Sequence, residues 1–441
     1  MNKISPKWLH QAQGFGFVLF AGVSAFMTYF SMYAFRKPFT ASTYDSIIGF
    51  ESVVTYKVAL ILAQVLGYLL AKFIGIKVIA EMQHKNRGKA ILAMILAAEL
   101  ALVLFAITPV DFNIIWLFFN GLALGMVWGV VFSFLEGRRT TEMLGAVLSL
   151  TFILAPGVVR TVGKWLLESV GILELWMPAA TGALFLPLLM LSVWCLCLLP
   201  KPNSADEKAR QHRAPMNGQQ RWAFFKKYAF GICCLILSFL LFTGLRDFRD
   251  NFSAEIWHAL GYGQEPAIFA YAGIRIAFIV LIALGAMVLI RNNKTAFYSN
   301  HGFILFGIAL LFGTTVAFEA QLIEAKTWMV WLGAGLYIAY IPYNCFLFDR
   351  MISAVGATAN AGFLLYLADS AGYIGSVGIL LYRTFATPDI SWLNFFIHTI
   401  YAVAVIAAIL VFSSGIYFHR ILVQKNITHL NNTKQRSLSV A

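Results

Sequence analysis

The sequence predicts an all-helical membrane protein in which two similar six-helix halves follow one another along the chain. Hydrophobic residues make up 60% of the 441 residues and charged residues only 12%, which is more apolar surface than a soluble protein of this size can shield from water. The apolar residues also gather into about twelve runs, each close to the roughly 20 residues that a helix needs to cross a bilayer. Finally, a short motif recurs at a corresponding place in the second part of the chain.

The predicted spans account for nearly all of the apolar sequence. In chain order they lie near 14–35, 55–76, 90–109, 113–135, 144–167, 174–199, 228–247, 266–290, 301–319, 327–348, 358–383 and 391–418. The first six form an N-terminal half within residues 1–200, and the last six form a C-terminal half within 228–420. A polar central loop, 201–227, joins the halves, and 421–441 form a polar tail.

The repeated motif indicates that the halves arose by duplication. The segment FRKPFTA, which contains Arg36, recurs as FRDNFSA, which contains Arg249. The two arginines are 249 − 36 = 213 positions apart, and Glu136 and Asp349 are separated by the same offset. Duplicated halves that face each other across a pseudo-twofold axis are the architecture of secondary transporters, with the substrate site between them. An arginine on each half is therefore a candidate pair of anion ligands.

The net charge of +13 indicates membrane topology rather than nucleic-acid binding, which we do not expect. If the amino terminus is cytoplasmic, 22 of the 33 lysines and arginines fall on that side, 8 on the opposite side and 3 within spans. Cytoplasmic segments of membrane proteins carry an excess of Lys and Arg, so this bias fixes the orientation. We expect a multi-pass protein of the inner (plasma) membrane, with both termini and the central loop in the cytoplasm.

Several basic residues fall within or beside the predicted spans. A charge at membrane depth is costly, so its default interpretation is functional, although a long side chain near a helix end can also reach the interface. The candidates for binding an anionic solute are Arg36, Lys72, Arg160, Arg246 and Arg249. The planar fork of an unpaired arginine suits a phosphate or a carboxylate, and Lys72, with apolar residues on both sides well inside the second span, is the hardest single charge to explain otherwise.

The acidic residues near the same spans are candidates for coupling or gating. Asp250 lies four residues after Arg246, so the two can pair on one helical face and simply neutralise the helix end. Asp369 lies among small residues in the eleventh span, where it can pair with a basic residue or carry a proton. Glu136 and Asp349 close the fourth and tenth spans, either as a conformational latch or as ordinary polar residues at a helix end.

Sequence signatures of enzymes are absent: there is no Walker A loop, no HExxH and no GxSxG. The five cysteines lie in or beside predicted spans without zinc-site spacing, which favours apolar packing. We therefore expect a protein that is not an enzyme and uses no cofactor or metal. Its expected partners are a small anionic solute and the lipid bilayer, and we expect a monomer.

Two short segments resemble a known family. YAFRKPF, beginning at Tyr33, resembles the first-helix pattern Y-x-x-R-K-x-F of the organophosphate:phosphate antiporters of the major facilitator superfamily. YLLAKFI, beginning at Tyr68, resembles their second-helix pattern Y-x-x-x-K-F-I. In addition, LEGRRTTE, beginning at Leu135, resembles a segment that recurs in an uncharacterised bacterial family of major-facilitator-like membrane proteins.

The resemblance implies a major facilitator fold and assigns phosphate-binding roles to individual residues. In the antiporters, one arginine of the first helix and one of the seventh bind the substrate phosphate, with a second-helix lysine close by. Carried over, these roles fall on Arg36 and Lys72. In the seventh span the antiporter pattern favours Arg246, whereas the internal repeat favours Arg249, and both remain candidates.

The leading hypothesis is a secondary transporter of a small anionic solute, such as an organophosphate or a carboxylate, that works by rocking its halves about a central site. One alternative is a proton-coupled carrier of another solute that uses Asp369 or Asp250. Another is a membrane sensor or scaffold that has kept the fold without transport, which the absence of a histidine from the predicted fifth span favours. A membrane-embedded enzyme is the least supported, because no catalytic His/Asp constellation is visible.

Overall fold

A computed structural model describes residues 15–438, with gaps at 46, 48–49, 51, 53, 137, 139, 201–217, 291, 346, 358–360 and 388. Within the described residues the secondary structure is entirely helical. Most of the predicted central loop lies outside the described residues, so the boundary between the halves stays a prediction. The last part of that loop, Gly218–Lys227, forms a short helix that leads into the seventh span.

Eleven helices among the described residues are long and apolar enough to cross a bilayer, which confirms the predicted class of fold. They are Gly16–Phe35, Tyr56–Gly75, His84–Ile107, Val110–Ser133, Met143–Val170, Met177–Cys197, Ala229–Asn251, Ile268–Met287, Asn293–Glu319, Phe363–Ala386 and Trp392–Gln424. A twelfth span, the tenth in chain order, is formed if Ala325–Cys345 and Leu347–Val355, which are bent by 53°, are taken together. The final helix continues to Leu438, so most of the predicted tail is helical.

Spans of the two halves pack against each other across the boundary: the fifth against the eighth and the tenth, and the second against the eleventh. The fifth and eighth approach closely because Gly157 lies against the carbonyl oxygen of Phe269, where an added Cβ would come within 2.6 Å of that oxygen. Small residues allow this kind of close helix contact in membranes. The inward-facing side chains of the first, second, seventh, tenth and eleventh spans therefore meet between the halves.

Candidate functional site

The first span changes conformation beside Arg36. Its α-helix gives way to a 3-10 turn at Tyr33–Phe35, and Pro38, which has no backbone N–H, begins a second 3-10 turn. Side-chain amides from other spans satisfy carbonyl groups at this break. Gln64 donates to the carbonyl oxygen of Arg36 over 3.0 Å, and Asn120 donates to the preceding carbonyl oxygen over 2.9 Å. Irregular backbone at membrane depth is tolerated when it is satisfied in this way, and transporters use it to line substrate sites.

The guanidinium of Arg36 rests on tyrosine rings. Its Cζ lies 4.1 Å from the centroid of the Tyr68 ring and 5.8 Å from that of Tyr33. Its Nε is buried and has no hydrogen-bond acceptor. Within the described part of the chain, no carboxylate forms an ion pair with it. Arg36 is thus a cation stabilised by aromatic faces and not by a counter-charge.

In the seventh span, Arg246 pairs with the residue that follows it. Its Nη2 and Nε donate to one oxygen of Asp247 over 2.6 and 3.0 Å, and the guanidinium lies 4.4 Å from the centroid of the Tyr340 ring. The hydroxyl of Ser376, in the eleventh span, donates to the other oxygen of Asp247. The suggested pairing of Arg246 with Asp250 is wrong, because the nearer carboxylate is held in place by Ser376.

The carboxylate of Asp250 is shared by two other arginines. One of its oxygens lies 3.8 Å from Nη1 of Arg249 and 3.6 Å from Nη2 of Arg160, which comes from the other half. Arg160 also donates to the carbonyl oxygen of Asp250 and to the hydroxyl of Ser253. Arg249 donates to the carbonyl oxygen of Met329 over 3.3 Å, and its Nε is buried without an acceptor. Arg160 therefore ties the two halves together, and its donors are largely used by protein groups.

Lys72 and Asp369 form an ion pair between the second and eleventh spans. The Nζ–Oδ2 distance is 3.1 Å, and the side chains are 20% and 32% exposed. Lys72 also lies 5.5 Å from the centroid of the Tyr68 ring, the ring that carries Arg36, and 5.9 Å from that of Trp128. The indole nitrogen of Trp128 is buried without an acceptor. The structure thus brings two of the predicted site residues into one contact across the halves.

Two further contacts between the halves involve residues that the sequence did not single out. Lys37 donates to Asn251 over 2.7 Å, and Lys57 forms a 2.6 Å ion pair with Glu255. In the sequence, both lysines lie near the ends of predicted spans, and they were counted only among the eight basic residues on the side opposite the cytoplasm. The buried amides that support the break at Arg36 were also missed, although a lone amide within an apolar run is a visible signal.

Glu136 and Asp349 lie away from these contacts. Glu136 is exposed just after the fourth span, and Asp349 is half-buried in the helix Leu347–Val355. Both residues make polar or electrostatic contacts. The latch between the fourth and tenth spans stays a prediction.

Positive charge exceeds negative charge where the halves meet. Apart from the Lys57–Glu255 pair, which has no net charge, the basic side chains there are Arg36, Lys37, Lys72, Arg160, Arg246 and Arg249, and the carboxylates in contact with them are those of Asp247, Asp250 and Asp369. The net formal charge of these nine side chains is 6 − 3 = +3. Such an excess in a low-dielectric interior creates a field that attracts an anion.

A large cavity of about 1030 Å³ lies beyond this cluster, where the spans predicted to end outside the cytoplasm come together. Residues of both halves line it, among them Lys57, Glu255 and Trp392, but none of the six basic residues of the cluster does. A much smaller cavity of about 20 Å³ adjoins Arg160 and Arg249. The charged cluster is thus packed closely and lies apart from this large cavity. The described residues contain no group of three or more potential metal ligands.

Comparison with solved structures identifies the fold. The chain is similar to a D-xylose-proton symporter, with a TM-score of 0.58 and 12% identity over 91% of this chain and 97% of the symporter. It is likewise similar to the nucleoside transporter NupG, with a TM-score of 0.57 and 14% identity over 90% and 98% of the two chains. Identities this low show the fold, that of the major facilitator superfamily, and no more. No curated protein matches the sequence significantly. One family model matches residues 38–421, and the chain belongs to that family, which is described as a family of unknown function (DUF5690).

Proposed function

We propose that this protein is a secondary transporter that carries a small anionic solute between its two halves by alternating access. The observation that supports this most directly is Arg36, a cation with no carboxylate partner among the described residues, placed at a break in the first span. A charge removed from water costs free energy unless an opposite charge or hydrogen bonds compensate for it. A bound anion supplies both.

The second anion ligand in this proposal is Arg246. Its side chain is 14% exposed, compared with 9% for Arg249. Both arginines have carboxylate partners, since Arg246 donates to Asp247 and Arg249 lies 3.8 Å from Asp250, so the greater exposure of Arg246 is the ground for this choice. An anion between Arg36 and Arg246 would draw the halves together, whereas two like charges without an anion repel each other.

Lys72 and Arg160 have different roles in the proposal. When the halves part, Lys72 leaves Asp369 and binds the anion instead. The positive charge of Lys72 is therefore compensated in both states. Arg160 holds the outer ends of the fifth and seventh spans together when the outer side is closed. A phosphate ester and a carboxylate both match this set of donors.

Proton coupling is a second candidate, supported by the Lys72–Asp369 pair. When this contact opens, Asp369 is left without its cation and can take up a proton, which would link a proton to each transport cycle. A sensor that binds an anion without moving it remains the alternative outside transport. It predicts the same binding but no flux.

We expect anions to raise the unfolding temperature of the purified protein, because a ligand that binds only the folded state stabilises it by about 2.7 kcal/mol at 100 times its Kd. The screen compares inorganic phosphate, glycerol 3-phosphate and succinate with neutral glycerol, at pH 6 and pH 8. If no anion acts differently from glycerol, the anion site is wrong. If proton coupling operates through Asp369, the effect of pH on anion binding is smaller in Asp369→Asn than in the unaltered protein, and what remains is due to ionisation of the ligand itself.

A further inference from the structure

Aromatic rings surround the proposed site to an extent that a simple oxyanion does not require. Each cation proposed to contact the solute or its pathway rests on a ring: Arg36 on Tyr68, Arg246 on Tyr340, and Lys72 near Tyr68. Ring faces attract cations, so these tyrosines hold the basic groups without neutralising them. They also present flat apolar surface beside the charge.

In the N-terminal half the rings form a continuous group. Tyr29 and Tyr33 meet edge to face with centroids 5.5 Å apart, and the hydroxyl groups of Tyr29 and Tyr68 are 3.5 Å apart. All three residues are at least 95% buried. Tyr373, from the eleventh span of the other half, lies against Tyr68 with a centroid distance of 5.5 Å and an angle of 43° between the rings.

The C-terminal half contributes a second group. Tyr337 and Tyr340 meet edge to face at 6.5 Å, and the Tyr337 hydroxyl donates to the carbonyl oxygen of Phe152 across the boundary over 3.1 Å. Tyrosine rings of both halves therefore lie at the boundary between them. Packing alone does not call for this chemistry, because phenylalanine or leucine would fill the volume without burying a hydroxyl group that needs a partner.

The pair Tyr68 and Tyr373 is placed so that rocking of the halves changes the distance between its rings. The two residues lie on the second and eleventh spans, which pack across the boundary. A planar ring inserted between them needs about 7 Å between their faces, twice the roughly 3.5 Å of a van der Waals contact. The present 5.5 Å is too short for this. A parting of the halves by a few ångströms would open a slot for a ring beside Arg36.

We propose that the transported anion carries a planar ring, as in an aryl or heteroaryl phosphate or carboxylate. Its ring lies between Tyr68 and Tyr373, and its charged group is bound by Arg36. Two buried donors without acceptors, Nε of Arg36 and the indole N–H of Trp128, are available to the charged group and to polar atoms of the ring. This inference rests on the proposed function and specifies the class of its substrate.

The test compares ligands that differ only in the ring or only in the charge. Thermal stabilisation of the purified protein is titrated with phenyl phosphate, inorganic phosphate and neutral benzyl alcohol. We expect phenyl phosphate to give the same rise in unfolding temperature at about a tenth of the concentration needed for inorganic phosphate, because aromatic contact and burial of the ring add to the anion contacts. Tyr373→Leu is expected to bring this ratio close to one. The matched control Tyr373→Phe, which keeps the ring, is expected to preserve it.

Using the ratio separates a specific role of Tyr373 from a general loss of stability, since the latter changes both titrations alike. Equal effects of the two phosphates would overturn the ring-binding proposal and leave the anion site standing. If the ratio of phenyl phosphate to inorganic phosphate concentrations is unchanged in Tyr373→Leu, the ring does not bind between Tyr68 and Tyr373. If benzyl alcohol stabilises the protein as strongly as phenyl phosphate does, the anion site itself is wrong. The same conclusion follows if none of the three ligands stabilises the protein.

Discussion

Replacing Arg36 by lysine is expected to weaken the affinity for the anion about 10- to 100-fold while preserving the fold. Lysine keeps the positive charge but loses the planar fork that donates two parallel hydrogen bonds to one anion. A hydrogen bond to a charged group contributes roughly 1.5–3 kcal/mol, and 1.4 kcal/mol corresponds to a factor of ten in affinity. The measurement is the shift in unfolding temperature of Arg36→Lys against anion concentration, compared with that of the unaltered protein.

The matched control for this prediction is Arg275→Lys. Arg275 lies in the eighth span with its guanidinium 3.6 Å from the Tyr271 ring centroid, so the same substitution removes the same type of ring contact at an exposed position. We expect it to leave anion binding unchanged. Of Arg246→Lys and Arg249→Lys, only the first is expected to reproduce the loss. Small, equal and additive effects of substituting Arg36, Arg246 and Arg249 would show that these arginines are anchors at the membrane interface.

Asn120→Leu is expected to cause the largest loss of stability among substitutions near the site. The Asn120 side chain is fully buried and donates to the carbonyl oxygens of Phe35 and Ala98, and it accepts a hydrogen bond from Gln64. Leucine would leave two buried carbonyl groups without this donor, at a cost of roughly 1–3 kcal/mol each. Because one of them belongs to the break beside Arg36, the substitution should also abolish the response to anions.

Asn113→Leu provides the comparison, because Asn113 lies on the same span and is equally buried but contacts Tyr56 and Phe105, away from the break. We expect a similar loss of thermal stability with anion binding retained. If Asn120→Leu and Asn113→Leu impair anion binding equally, the amide supports the general fold and has no specific role in positioning Arg36.

The predictability of the fold from sequence has a simple physical origin. A helix must satisfy its own backbone inside a bilayer, so an apolar run of about 20 residues is enough to predict a span without knowledge of its neighbours. Lys72 was visible because it interrupts such a run, whereas Arg36, which directly follows the first run, was visible because its motif recurs in the second half. The bent tenth span was predicted as one uninterrupted segment, because composition does not reveal a change of helix direction.

The pairing of charges was less predictable. Arg246 has one aspartate at the next position and another four residues on, and both are within reach of a long side chain. Ser376, more than a hundred residues away in sequence, fixes Asp247 and so decides the outcome. The role of Asn120 was missed for a related reason: a lone amide in an apolar run is visible in the sequence, but its partners at the break are not.

The central claim, transport of an anion through a site that contains Arg36, is tested most directly by exchange in proteoliposomes. Vesicles preloaded with phenyl phosphate are placed in radiolabelled phenyl phosphate, and the entry of label is followed for the unaltered protein, for Arg36→Met and for vesicles without protein. We predict time-dependent entry with the unaltered protein that saturates with concentration, and only background entry with Arg36→Met and in vesicles without protein. Binding of phenyl phosphate to the purified protein without any entry of label above background would contradict transport and identify the protein as a sensor.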